Sequence, residues 1–232
     1  MISLFNRFKE TFLSDLNLEL SYPGARPNHA TVLLGWYVKI SKKMKRIIEL
    51  GCGSAIISIY LASRYVIEVT AIDKNPYLLE IARKNIENNE LKGKINVEHV
   101  DIYSVSNRFV SGYFDMVVCN PPHFSHSGLV SSKESRNEWR RLDRKLLTEF
   151  AKTTKWLLKN RGVFYYIIHP RDLTDWIKAF EDNKLGIHRI KMVHGREGKQ
   201  AQLVLMKGRG NSTSEIVIEP PLILRKEENN VY

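Results

Sequence analysis

Between residues 46 and 207 short β-rich runs alternate with helical patterns, and this alternation leaves few folds open. Residues 46–50, 66–72, 95–100, 113–119 and 163–169 read as strands. Residues 56–65, 77–89, 138–159 and 173–181 carry apolar positions near helical spacing. Pro76 sits at a first helical position, where its missing N–H costs nothing. Strand and helix in regular succession imply right-handed βαβ units and a mainly parallel sheet. Two last runs, 186–193 and 201–207, flank a basic, glycine-containing turn over 194–200 and predict an antiparallel hairpin. The division expected from this pattern is a helical cap over 1–40, with a loop at 21–30, a main domain over 41–210, and a tail over 211–232. The tail carries Pro220-Pro221 and is expected as an edge strand or a mobile end.

The ends of the strands hold the chemistry. Ligands of open α/β sheets gather at the carboxyl ends of the strands, which makes the residues there the candidates. Glu49-Leu50-Gly51-Cys52-Gly53-Ser54-Ala55 closes the first strand. Its glycines permit a sharp bend and close approach of a ligand, and the following helix start presents free N–H groups to an anion. Glu49 either orients the turn or neutralises a cationic amino-acid group. Asp73 ends the second strand, 22 positions after Gly51, near the ~20 at which an acid meets a ribose hydroxyl in dinucleotide-binding folds. It also reads as a helix N-cap. Asp101 ends the third strand, either as an acceptor for an adenine amino group with Ile102 covering the ring, or as a cap.

Asn120-Pro121-Pro122-His123 ends the fourth strand. Each proline lacks an N–H and fixes φ, and each residue before a proline is pushed to extended conformations. The Asn120 side chain and the Pro121 carbonyl are therefore a rigid pair of acceptors, suited to gripping an amino group.

The segments ELGCGS, AIDKNP, HVDIYS and NPPH follow the order of the motifs of class I S-adenosylmethionine-dependent methyltransferases, over about residues 45–125. The chain further resembles the tRNA (adenine-N6)-methyltransferase family that modifies A37 of a valine tRNA. That narrower likeness rests on Thr31-Val32-Leu33-Leu34-Gly35, on NPPHF, on Gly198-Lys199-Gln200-Ala201 with Leu203-Val204-Leu205, and on Pro221-Leu222-Ile223-Leu224. The resemblance implies a Rossmann-like fold: a mainly parallel, seven-stranded twisted sheet with a C-terminal antiparallel hairpin and helices on both faces. It implies S-adenosylmethionine as cofactor, held by Glu49, Gly51, Cys52, Gly53, Asp73, Lys74, Asp101, Ile102 and Asn120. Catalysis falls to Asn120, Pro121, Pro122 and His123. Ala55 stands where a third glycine is usual, and His123 where an aromatic residue is. Imidazole stacks on a base with less area, and Phe124 is an alternative platform.

The formal net charge of +11 is uneven. Residues 133–209 hold 19 Lys/Arg against 9 Asp/Glu. Such a basic segment beside a catalytic loop points to a polyanion. Arg136, Arg140, Arg141, Arg144 and Lys145, with Arg196 and Lys199 in the hairpin turn, are the expected phosphate contacts, against the alternative of a solvated helix face. RNA, and tRNA in particular, is the expected partner. A release-factor glutamine or an rRNA guanine is the alternative substrate, and a cofactor- or RNA-binding module without turnover is the alternative class. Cys52 and Cys119 lie 67 positions apart with no paired CxxC, and read as small core thiols. His123, His126 and His169 lack acids at ligand spacing, so no metal is expected. The early residues show no apolar signal block, and no run reaches the ~18 apolar residues of a membrane span, so a cytoplasmic location is expected.

Overall fold

The computed structural model describes residues 12–21, 25–122 and 133–225, the side chains of 133–143 excepted. The strands are β1 (Arg46–Leu50), β2 (Glu68–Asp73), β3 (Ile95–His99), β4 (Phe114–Cys119), β5 (Leu158–Ile168), β6 (Leu185–His194), β7 (Ala201–Gly210) and β8 (Val217–Ile223). They form one sheet in the order β3-β2-β1-β4-β5-β7-β6-β8. Neighbours among β1 to β5 pair in parallel. β7 runs antiparallel to both β5 and β6, which is the expected hairpin. The expected seven strands become eight because Val217–Ile223 joins β6 in parallel as the edge. Pro220 and Pro221 fit there, since an edge strand has N–H groups to spare.

Among the described residues, five helices longer than a single turn cover the two faces: α1 (His29–Tyr37), α2 (Ile56–Arg64), α3 (Pro76–Asn88), α4 (Lys133–Leu157) and α5 (Leu173–Asp182). Strand side chains alternate between faces, and the two cores follow from that. Met116, Val118, Val163, Tyr165 and Ile167 pack with Leu33, Ile57 and Leu79 of α1, α2 and α3. Their neighbours Val117, Cys119, Phe164, Tyr166 and Ile168 pack with Phe150 of α4 and Trp176 and Phe180 of α5. Both cysteines are free and buried, as small core thiols are. Among the described residues no helix is long and apolar enough to cross a membrane.

One junction departs from the expected elements. α4 begins at Lys133 rather than 138, and β5 begins at Leu158 rather than 163, directly after the helix. Leu158 pairs with Phe114 and Val163 with Met116, so β5 carries extra residues opposite β4. Arg161 takes the left-handed conformation there, at φ 58°. A bulge of this kind hides the first strand pairing from a periodicity reading. The amino ends of three strands meet nearby: Asp115 Oδ2 accepts from the Lys45 and Arg46 N–H groups at 2.9 Å each, and Lys159 Nζ lies 2.6 Å from Oδ1.

The start of α2 is fastened to β1 by a buried acid. Glu49 accepts from the Ser58 N–H at 2.9 Å and from the Ser58 hydroxyl, three residues past the cap residue Ala55. This satisfies a first-turn donor that Ala55 has no side chain to satisfy. Ala55 itself sits at φ 59° and is fully buried, so the position that departs from glycine faces helix packing.

Two outcomes are expected. Trp176 is 1% exposed, with its ring centroid 5.1 Å from that of Tyr166 and 5.3 Å from that of Phe180. Trp176→Ala is expected to cost about 3–5 kcal/mol in denaturant unfolding; a loss under about 1 kcal/mol would contradict this packing. Burial pushes the Glu49 carboxyl up from 4.5 to about 8, against the lowering effect of Ser58. A raised carboxyl favours the neutral form in the fold, so its contribution is complete below the unfolded value and is lost as pH climbs to the folded one. Relative to Glu49→Gln, the natural chain should therefore lose stability between pH 5 and pH 8, by at most about 4 kcal/mol. Parallel pH–stability curves for the two proteins would show that Glu49 is ionised in the fold.

Candidate active site

The register of the central strands brings the chemical residues to one edge. Leu50 at the end of β1 pairs with Ile72 of β2 on one side and Cys119 of β4 on the other. Gly51, Asp73 and Asn120 follow these three residues and so stand abreast. The chain proceeds from β1 to β2 on one side, while β4 flanks β1 on the other, which makes this the switch point where a crevice opens in a doubly wound sheet.

The turn after β1 needs its glycines for conformation. Gly51 and Gly53 have φ of 66° and 54°. A Cβ on Gly51 would meet nothing within 4 Å, and one on Gly53 only the Leu78 side chain at 3.9 Å. The protein leaves the space over the turn open. The Cys52 N–H donates to Ile72 O at 2.9 Å, so its backbone joins the turn to β2 while its thiol lies in the core. Burial pushes that thiol well above its ordinary range.

Asp73 holds the turn from the other side. Oδ2 accepts from the Gly53 N–H and Oδ1 from the Asn75 N–H, each at 2.8 Å. The cap of α3 is Asn75, not Asp73: its side chain accepts from Tyr77 and Leu78. An ionised carboxylate offers about four acceptor sites, so Asp73 retains capacity for a ligand hydroxyl. Lys74 is exposed, and its carbonyl lies 3.0 Å from His99 Nε2. Asp101 accepts from the Tyr103 N–H at 3.0 Å and caps the short turn Ile102–Ser104, with Ile102 packed against the core. Of the two readings of Glu49, the geometry is that of a residue orienting the turn.

At the end of β4, Asn120 carries an acceptor in an unusual state. Its Oδ1 is buried and has no hydrogen-bond partner among the described residues. An unmade bond of this kind costs about 1–3 kcal/mol. Pro121 beside it is buried. His123 and Phe124 lie outside the described residues, as do the side chains of Arg136, Arg140 and Arg141. Arg144 lies 3.3 Å from Asp175 of α5, on the outer face of the helix layer.

Residues 17, 19 and 25, before α1, dock on the end of α3 and on the turn after β1, a feature that spacing did not expose. Asn85 Oδ1 accepts from the Glu19 N–H at 2.5 Å, and Asn89 Oδ1 from the Asn17 N–H at 2.9 Å. Asn85 Nδ2 also donates to Ser54 O at 3.3 Å, and the Ser54 hydroxyl to Ala25 O at 2.7 Å. The available signal was two asparagines four apart, Asn85 on α3 and Asn89 at its cap, the first at 0% exposure amid apolar positions. On the other side of Asn120, a cavity of about 660 Å³ lies between the amino end of α1, His169 after β5 and the β6–β7 turn with Arg196 and Lys199.

Comparison with known proteins agrees with this architecture. The family model of the methyltransferase small domain matches residues 25–172. The tRNA1(Val) (adenine(37)-N6)-methyltransferase of Shewanella sp. (strain MR-4) is 26% identical over 204 residues, covering 86% of this chain and 84% of its own. The protein of the same name from Phocaeicola vulgatus is 28% identical over 175 residues, covering 75% and 73%. A predicted O-methyltransferase from Agrobacterium tumefaciens has the same fold, with a TM-score of 0.70 at 21% identity over 88% of this chain and 91% of that one. The matched span contains β1 to β5 and every strand end that bounds the crevice, and takes in well over half of the sequence. The chain belongs to the methyltransferase small domain family and is a methyltransferase.

Proposed function

We propose that this methyltransferase transfers a methyl group from S-adenosylmethionine to an exocyclic amino group, N6 of adenine in a single-stranded loop of tRNA. The observation that carries the reading is the buried, unpartnered Oδ1 of Asn120 at the crevice. A planar amino group supplies the missing donor. The names of the curated relatives support adenine in tRNA as the source of that group.

The residues at the strand ends fit the cofactor. Gly51 and Gly53 leave room for the methionine portion, Asp73 suits the ribose hydroxyls, and Asp101 with Ile102 suits the adenine ring, flanked by Lys74. When bound, S-adenosylmethionine supplies an electrophilic methyl on a sulfonium. The chain's own work is orientation. The N6 lone pair of adenine is delocalised into the ring. Asn120 Oδ1 and the Pro121 carbonyl each accept one N–H, which pyramidalises the nitrogen and aims its lone pair. Pro121 and Pro122 keep both oxygens in place. Prealigned dipoles and in-line geometry then supply the acceleration, and the surplus proton leaves to water. His123, with Phe124, serves as the stacking platform for a base already out of its stack. Arg196 and Lys199 are the contacts for the RNA backbone, with the Lys/Arg-rich sequence after the NPP loop adding to the attraction of a polyanion.

The test is an assay with labelled cofactor and separate pools of tRNA, rRNA, DNA and release factor, followed by nucleoside mass spectrometry. Label confined to tRNA as N6-methyladenosine is expected; label in N2-methylguanosine or in protein would overturn the assignment. Asn120→Ala should lower kcat about 100-fold or more and leave the cofactor Kd unchanged. Equal losses in both would mean that Asn120 only supports the fold.

A further inference from the structure

The cavity beside the crevice has a composition that the transfer of a methyl group does not require. Its wall is apolar, formed by Val193 at the end of β6, Leu203 at the start of β7 and Leu224 just past β8. Its rim carries three exposed cations, Arg196, Lys199 and Arg225, and no Asp or Glu is among its lining residues. Three segments far apart in sequence supply these groups, and backbone bonds gather them. The His194 carbonyl accepts from the Leu224 N–H at 2.9 Å, and the Arg225 carbonyl from the Glu197 N–H at 3.4 Å. His194 Nδ1 lies 2.6 Å from Lys199 O and closes the hairpin turn. Among the described residues none of the three cations makes an ion pair. Glu197 in the same turn is outside the lining and is outnumbered by the three cations, and a bound anion relieves their remaining repulsion.

We infer that this cavity is a second nucleotide subsite, which takes the nucleotide adjoining the target adenine: its phosphodiester on Arg196, Lys199 and Arg225, its base against Val193, Leu203 and Leu224. The inference rests on the RNA reading above and adds a defined place for a neighbouring residue of the strand. Position and size both fit. β5, β7, β6 and β8 lie one to four strands from β4, so the cavity lining spans roughly 5–20 Å from Asn120 at the usual strand spacing, with its near part at β5 and β7. This is the reach of an adjoining nucleotide in an unstacked loop. The volume of about 660 Å³ lies within the range of ~300–1,000 Å³ of small-molecule sites. Apolar contact with a base face beside cationic contact with the backbone is the usual arrangement for single-stranded nucleic acid.

The test reads binding rather than turnover. Fluorescence anisotropy of a labelled RNA stem-loop with an unpaired adenine gives Kd as a function of salt for the full chain. Each single-strand phosphate contact contributes about 0.7 to the slope of log K against log salt. Arg196→Ala/Lys199→Ala/Arg225→Ala should weaken binding at least tenfold and lower the slope by about 2. Lys42→Ala/Lys43→Ala/Lys94→Ala, at the opposite edge of the sheet, should leave the slope in place. In the natural chain an abasic site next to the adenine should raise Kd, and the Leu203→Ala chain should respond to it less. An unchanged slope in the first variant, or equal loss in both, overturns the subsite, with cofactor titration confirming that each variant is folded. The two readings fail separately. If the chain binds RNA as described but methylates none, the methyl acceptor is wrong and the subsite stands. If it methylates tRNA adenine while the first variant binds normally, the subsite alone falls.

Discussion

Two backbone N–H groups, of Gly53 and Asn75, end on the two oxygens of Asp73. Charge-assisted bonds of this kind are worth about 1.5–3 kcal/mol each, and here they do more than stabilise. One comes from the turn after β1 and the other from the turn after β2, so a single carboxylate holds two catalytic-edge loops in fixed relation. The Cys52–Ile72 backbone bond closes the same joint. A left-handed glycine turn is conformationally loose on its own. Tied this way, it becomes a rigid floor beside which Asn120 can present a fixed oxygen. The neighbouring acid, Glu49, lies in the same field, and the charge of Asp73 is one reason that its carboxyl is pushed up, after burial. One acid of the pair holds the crevice turns, while the other, its carboxyl pushed up by burial, secures the helix behind it.

The parallel sheet and the chemical residues at its strand ends were legible because they depend on periodicity and on breakers, both local properties. Pro76, the apolar run into Cys119 and the glycine turn each fell where the structure has them. The tail was legible only as a choice between an edge strand and a mobile end, since Pro220-Pro221 suits either. The start of β5 was hidden by the bulge around Arg161, where strand pairing continues through residues with no strand pattern. The roles of Glu49 and Asp73 stayed open for a different reason. Whether a strand-end acid faces a ligand or a backbone N–H is decided by a tertiary partner, and neither Ser58 nor Gly53 announces itself as one. Asn85 is the same lesson reversed: a polar residue amid apolar helix positions marks a buried hydrogen-bonding duty, though not its partner in the chain before α1.

The two sides of Asn120 divide the labour. Toward β1, β2 and β3 lie glycines and acids, suited to hydroxyls, amino groups and a cationic ligand portion. Toward β5, β6 and β7 lie cations over an apolar wall, suited to a nucleic acid strand. The antiparallel hairpin makes the second half possible. By returning β7 between β5 and β6 it places a basic turn at the carboxyl edge of a sheet whose first five strands are parallel. An acceptor left unsatisfied at the boundary between the halves is where two ligands would meet.

That meeting is most directly tested by determining the structure with S-adenosylhomocysteine and adenosine bound together. The account predicts the homocysteine portion over Gly51 and Gly53, the ribose hydroxyls on Asp73, and the adenosine N6 within hydrogen-bond distance of Asn120 Oδ1 and facing the sulfur. A structure in which the cofactor product lies elsewhere, or in which Asn120 Oδ1 bonds to the protein and turns away from N6, would contradict it.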